Sequence, residues 1–234
     1  MDSHERKSDA RSAPFKRVPV ICVLLASALG LSLLSPRPAQ AGDPSLKWRT
    51  IKTKNFYIHY YEKERAVARR VAVLTEQVHK MLVPLMKWKP RRRTHVVLTD
   101  DTDSANGLAQ VVPRSVVRLY VTAPEDMETL NDFDDWLFLL FTHEYTHILH
   151  LNTRGGLADV INALFGLGRG ILYAPNHVQP RWFIEGVAVL NETVRTTGGR
   201  IRSSLYKMIL RSAVLEKKTI SLSELSSTVV RYPH

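Results

Sequence analysis

The sequence predicts an α+β fold: a small mixed β-sheet, then a central helix bearing the candidate site, then a helical C-terminal part. Three observations carry that prediction. Short strand-like runs fall in the first half of the chain: 56–61 has the two-residue period of a pleated strand, 94–99 is β-branched, and 116–121 is another such run. A strongly apolar run from Trp136 to Leu151 encloses His143-Glu144-Tyr145-Thr146-His147. Amphipathic patterns of helical period occupy much of the chain beyond Leu151.

The chain has 234 residues, enough for one domain with a real core, or one domain plus a tail. With 44% hydrophobic and 24% charged residues, its composition is that of a folded protein, not a disordered one. The formal charge is +11. Residues 1–41 hold six Lys/Arg and three acids, and the remainder carries 27 basic against 19 acidic residues. That excess suits anionic partners such as envelope lipids, and equally a solvated basic face. Cys22 is the only cysteine, so no intramolecular disulfide forms and stability must come from packing.

Lys16-Arg17 precede an apolar run from Val18 to Leu34, and Ala39-Gln40-Ala41 follows a Pro-rich break. A basic start, a short apolar stretch and an A-x-A end predict a secretory signal peptide over 1–41, cleaved after Ala41. The same run, about 17 residues long, is at the lower limit for an uncleaved anchor. Either way the protein is expected to be exported, to the periplasm, cell envelope or extracellular space.

Trp48 to Tyr61 reads as a strand region, because Phe56, Ile58 and Tyr60 alternate with Tyr57, His59 and Tyr61. His59 is then a half-buried strand residue. Glu62 to about Leu82 carries apolar residues at three- and four-residue steps and predicts a helix ended by Pro84 and Pro90, with His79 in a structural role. Lys87 to Arg93 is a basic cluster around Trp88. Without a recognition fold it predicts a solvated connection, and no nucleic-acid partner is expected. Thr94–Thr99 and Val116–Val121 read as strands. Between them, Asp100, Asp101 and Asp103 lack the closing Glu of a calcium loop, so a turn followed by a helix N-cap is expected there.

An acidic stretch, Glu125 to Asp135, leads into the apolar run, and Asp132 to Asp135 suit the N-terminus of its helix. If the run is helical, His143 and His147 lie one turn apart on one face, where two imidazoles can share a zinc ion. Glu144 points about 100° round the helix, positioned to take a proton from water on the metal without ligating it. The same pair also fits a packed, hydrogen-bonded core feature. His150 is a further candidate ligand, or a cap for the C-terminal turn.

Beyond Gly156, residues 157–167 form a short amphipathic piece, and Gly166, Gly168 and Gly170 loosen the stretch after it. This region reads as a flap near a cleft, or as a patch in contact with a membrane surface or partner. Pro180 suits a helix start, and Glu185 is then a lone carboxylate among Trp182, Phe183, Ile184 and Val187. A buried carboxylate needs a partner, and zinc is a good one. Gly186 costs a helix about 1 kcal/mol, which a close approach to the His143 helix would explain. Residues 201–216 are a further amphipathic helix, and Ser221 to Leu225 begin another.

The pairing of H-E-x-x-H with a later W-F-x-E-G-x-A resembles the gluzincin metallopeptidases. More narrowly, it is similar to bacterial peptidase MA-like domains, over about Trp48 to Leu225, with Lys54 to Tyr60 matching the opening strand. The resemblance implies a zincin-like fold over 42–234, with His143, His147 and Glu185 as zinc ligands and Glu144 as general base. The separation of 38 residues from His147 to Glu185 exceeds the thermolysin-like spacing, and the Gly-rich flap accounts for it. Gluzincins usually add a Tyr or His that stabilises the oxyanion. No motif identifies it here, and Tyr173, His177, Tyr206 and Tyr232 are the candidates. Such domains usually run on past a point like Arg231-Tyr232-Pro233-His234, so the domain is expected to be incomplete at its C-terminus.

The expected function is that of a secreted zinc peptidase acting on a peptide or protein substrate. The alternative is a non-catalytic envelope-binding domain that keeps or has lost the metal. A two-His-one-carboxylate iron oxygenase fits less well, since Glu144 has a role in hydrolysis and none in that chemistry.

Overall fold

The alternating run across 48–61 folds as a hairpin. β1 (Trp48–Lys52) and β2 (Phe56–Tyr61) pair antiparallel, Trp48 opposite Tyr61. The break at Thr53 to Asn55 is tied down by Glu76, whose carboxylate accepts from the Thr53 hydroxyl at 2.7 Å, the Asn55 backbone N–H at 2.7 Å and the Asn55 side chain at 2.6 Å. The computed structural model describes residues 46–101, 105–124, 135–165 and 173–227. The expected signal segment, Asp103, Glu125 to Asp134, the glycines at 166, 168 and 170, and Tyr232 lie outside the described residues.

A short 3-10 turn, Glu62–Glu64, leads into α1 (Arg65–Met86). The helix passes Pro84, which sequence periodicity marked as its end, and stops at Lys87 in the left-handed region (φ 49°). Pro84 lies in the last turn with its ring exposed, where one missing N–H disrupts little. α1 carries the chain across to β3 (Thr94–Thr99), parallel to β2, and β3 pairs parallel with β5 (Val116–Tyr120). Between them lies β4 (Gly107–Gln110), antiparallel to β5 at the sheet edge. The strand order is β1-β2-β3-β5-β4, the mixed sheet expected. β4 takes the place of the helix expected after the Asp-rich turn. Its four residues carry no β-branched side chain, so periodicity gave no sign of it.

Inward-facing residues of the sheet, among them Phe56, Ile58, Val96, Leu98, Val117 and Leu119, pack with Val71, Leu74, Val78 and Leu82 of α1. Onto this core lies α2 (Trp136–Asn152), capped by Asp135, whose carboxylate accepts from Phe138 N–H at 3.2 Å. Nearly every residue of α2 is buried. Phe56, Phe141 and Tyr145 form an aromatic cluster with ring centroids 5.3 to 5.5 Å apart, which pins the helix to the sheet. Three further elements agree with expectation: α3 (Leu157–Phe165), α4 (Arg181–Arg195) starting just after Pro180, and α5 (Ser204–Leu215). A short α6 (Leu222–Ser227) comes after them. Among the described residues no helix is long and apolar enough to cross a membrane.

Candidate metal centre

α2 and α4 pack against each other, and the candidate ligands meet at their contact. His143 and His147, one turn apart, bring their Nε2 atoms within 3.1 Å. Glu185 Oε2 lies 3.6 Å from the first and 3.5 Å from the second. A tetrahedral zinc site with bonds of 2.0–2.2 Å has ligand-to-ligand edges of about 3.3–3.6 Å. The two carboxylate-to-imidazole separations fall within those edges and the 3.1 Å between the imidazole nitrogens is slightly shorter, while two imidazoles with one carboxylate are a donor set that zinc accepts. The residues present therefore fit the ion.

Glu192, which sequence reasoning passed over, orients the first ligand. Its Oε2 lies 2.7 Å from His143 Nδ1, and the residue is 0% exposed. An ionised carboxylate only accepts, so Nδ1 carries a hydrogen and Nε2 is the ring atom that faces the site. The other oxygen, Oε1, accepts from the Arg200 backbone N–H at 3.0 Å, with the Arg200 guanidinium at 3.7 Å. A tight turn makes that contact. Gly199 (φ 105°) sits where a Cβ would fall 2.5 Å from Thr193 Oγ1, so only glycine fits the backbone there. The Arg202 guanidinium closes the turn on the carbonyls of Thr193, Thr196 and Gly198. Glu192 lies seven residues after Glu185, on the same face of α4 (Glu185, Ala188, Glu192), and that periodicity was the available signal.

Burial works against every charge here. His143 is nonetheless pushed up to about 9, because burial is outweighed by the nearby Glu185 carboxylate and the bond to Glu192. The imidazoles of His143 and His147, 3.6 and 3.5 Å away, hold the Glu185 carboxyl far below the usual range, against burial. Glu192 is also held low, its bond to His143 and the charge of Arg200 outweighing burial. Two carboxylates thus stabilise a proton on His143, and a cation bound there takes that proton's place. His147 has a different environment: its Nδ1 is buried with no hydrogen-bond partner among the described residues.

Glu144 is buried beside the candidate ligands and outside the cluster formed by His143, His147 and Glu185. Burial raises its carboxyl above the usual range, partly opposed by the two histidines. Its far wall is β4: a Cβ on Gly107 would come within 2.8 Å of Glu144 Cγ and Oε1 and 2.9 Å of Leu140 Cδ1. Gly107 therefore lets the edge strand approach the carboxylate. Gly186 does not have the role expected of it. A Cβ there would meet nothing within 4 Å, and α4 meets α2 through the face of the fully buried Ala188 instead.

His150 stays outside the cluster, its ring edge-on to Phe183 at 5.7 Å. His59 is half-buried, 2.9 Å from Thr50 Oγ1 and 2.9 Å from His95, and His79 is 2.6 Å from the Tyr145 hydroxyl. Tyr173 and His177 are exposed on the segment entering α4, and Tyr206 is half-buried on α5.

No family model matches the chain, and no solved structure matches it. An uncharacterized protein of Treponema pallidum (strain Nichols) is 27% identical over 186 residues, covering 79% of this chain and 16% of that protein's length. The chain therefore spans about a sixth of the relative it matches.

Proposed function

We propose that the protein is an exported zinc-dependent peptidase that uses Glu144 as general base. The observation that carries this reading is the convergence of His143 Nε2, His147 Nε2 and Glu185 Oε2 beside a buried carboxylate that ligates nothing. His143, His147 and Glu185 would hold the ion, which when bound supplies Lewis acidity and an acidified water. Glu144 would take a proton from the attacking water and pass it to the leaving amine. Its raised proton affinity suits both transfers. Glu192 keeps the His143 ring in register throughout. Glu185 is about a third exposed, so the cluster opens to solvent on the side from which a substrate can enter. Export rests on the basic, apolar and A-x-A pattern of residues 1–41.

A peptide-library digest of the zinc-loaded protein and of Glu144→Gln tests the reading. Cleavage by the parent alone, with equal zinc in both, is expected. Zinc in both proteins with cleavage in neither would favour the non-catalytic binding domain.

A further inference from the structure

Tyr145 lies between the two histidines in sequence and on the opposite face of α2. There it helps form the floor of a second cleft, about 770 Å³ in volume, walled by β2, β3, the 90–93 and 113–115 loops, and α3. Six cationic side chains line it: Lys54, Arg91, Arg92, Arg93, Arg114 and Arg154. The only carboxylate among the described residues of the lining, Asp159, is already engaged, 2.9 Å from Arg91 and 3.2 Å from Arg154. Lys54 and Arg114 are exposed and have no carboxylate partner among the described residues. Arg93 is braced by the Thr53 carbonyl at 2.9 Å and lies over the Tyr57 ring at 5.5 Å, so its guanidinium is held in place. The floor adds neutral donors: Ser115 Oγ accepts from Asn152 at 2.9 Å, which leaves its own O–H to be donated.

Like charges from separate elements do not gather around one cavity without cost, and a bound anion removes that cost. A compact anion with several acceptor oxygens suits a lining of forked guanidiniums and hydroxyl or amide donors better than an apolar ligand does. We propose that this cleft is a binding site for a phosphate group, carried by a free polyphosphorylated molecule or by an anionic lipid headgroup. The cluster 87–93, a solvated connection by sequence alone, supplies three of the cations once β2, β3 and α3 close around it. Burial and the charge of Arg114 both lower the proton affinity of His95, which lines the same cleft. The site lies across α2 from the candidate metal centre and does not depend on the peptidase reading.

The test uses the full chain and two charge-reversal pairs. Lys54→Glu/Arg114→Glu alters the cleft. Lys207→Glu/Arg211→Glu makes the same change of net charge on exposed positions of α5. Calorimetry with sodium tripolyphosphate reads the free ligand. Sedimentation with phosphatidylglycerol vesicles against phosphatidylcholine vesicles reads the headgroup. Saturable binding of at least one probe is expected, weakened at least about tenfold by the cleft pair and less than about twofold by the control pair. Tripolyphosphate binding alone assigns a free phosphate ligand, and cleft-dependent vesicle binding alone assigns the headgroup. No saturable binding of either probe, or equal weakening by both pairs, would overturn the proposal. Circular dichroism and zinc content, unchanged in both pairs, exclude unfolding as the cause.

Discussion

The two helices that meet at the candidate metal centre hold their ligands in different ways. α2 is buried along almost its whole length, and its histidines are fixed because Phe141, Tyr145, Ile148 and Leu149 lock the helix into the core. α4 buries only Ala188, Glu192 and Thr193, and Glu185 is placed by a polar arrangement instead. Ala188 sets the approach of the helices, and Glu192 ties α4 to His143 while the Gly199 turn ties it to the next stretch of chain. Apolar packing therefore makes one half of the site rigid, while hydrogen bonds hold the other half in register. The halves should respond differently to mutation: on α2, replacing Glu144 should act on chemistry, whereas replacing the carboxylates of α4 should act on metal affinity.

The largest expected effect belongs to α2. Glu144→Gln should lower peptide hydrolysis by about 10²–10⁴-fold while zinc content, read by elemental analysis, stays at the parent value. Loss of zinc together with activity would mean that Glu144 supports the ligands and not the reaction. On α4, Glu192→Ala frees the His143 ring and should weaken zinc binding by about 10–100-fold in a chelator competition. An unchanged affinity would break the comparison, since α2 alone would then position both rings. Gly107→Ala probes the wall behind Glu144. The added methyl must displace Glu144 or β4, at about 1–3 kcal/mol in chemical denaturation, with activity falling and zinc retained.

Two smaller effects sharpen the contrast between buried and surface features. Glu76 is held below the ordinary Glu value of 4.5, its bonds to Thr53 and Asn55 outweighing burial. A depressed folded-state pKa stabilises the fold above the unfolded value, and that contribution is lost as pH falls through the folded value. Glu76→Ala should cost about 1–3 kcal/mol at pH 7, and the gap from the parent should narrow as pH falls below the ordinary Glu value of 4.5. Gly186→Ala, in open space on α4, should stabilise by up to about 1 kcal/mol. A destabilised Gly186→Ala protein would restore the close approach that the helix pair lacks.

The same division separates the legible parts of the sequence from the rest. Alternating or β-branched runs announced β2, β3 and β5 and helical periodicity announced α1, because each buries a face against the core, while an apolar run announced α2, which is buried nearly all round. The cluster of His143, His147 and Glu185 was legible because two histidines in one helical turn and a carboxylate in an apolar setting are uncommon patterns. β4 was not, since an edge strand of four residues buries little and needs no pattern. Nor was Glu192, whose role arises only when α2 and α4 meet across 49 residues. Gly186 misled because a helical glycine suggests a tight contact, while the contact itself is made at Ala188. The cations at 91–93 looked solvated because the walls that gather them come from elements distant in sequence.

The central claim is that His143, His147 and Glu185 share one ion. Zinc titration of the chelator-stripped chain, with and without Glu185→Ala, tests it most directly. The account predicts one tightly held zinc per parent chain and an affinity at least about 10²-fold weaker in Glu185→Ala, with the helical content of both proteins equal. Zinc held equally tightly without the Glu185 carboxylate, or not held by the parent at all, would contradict it.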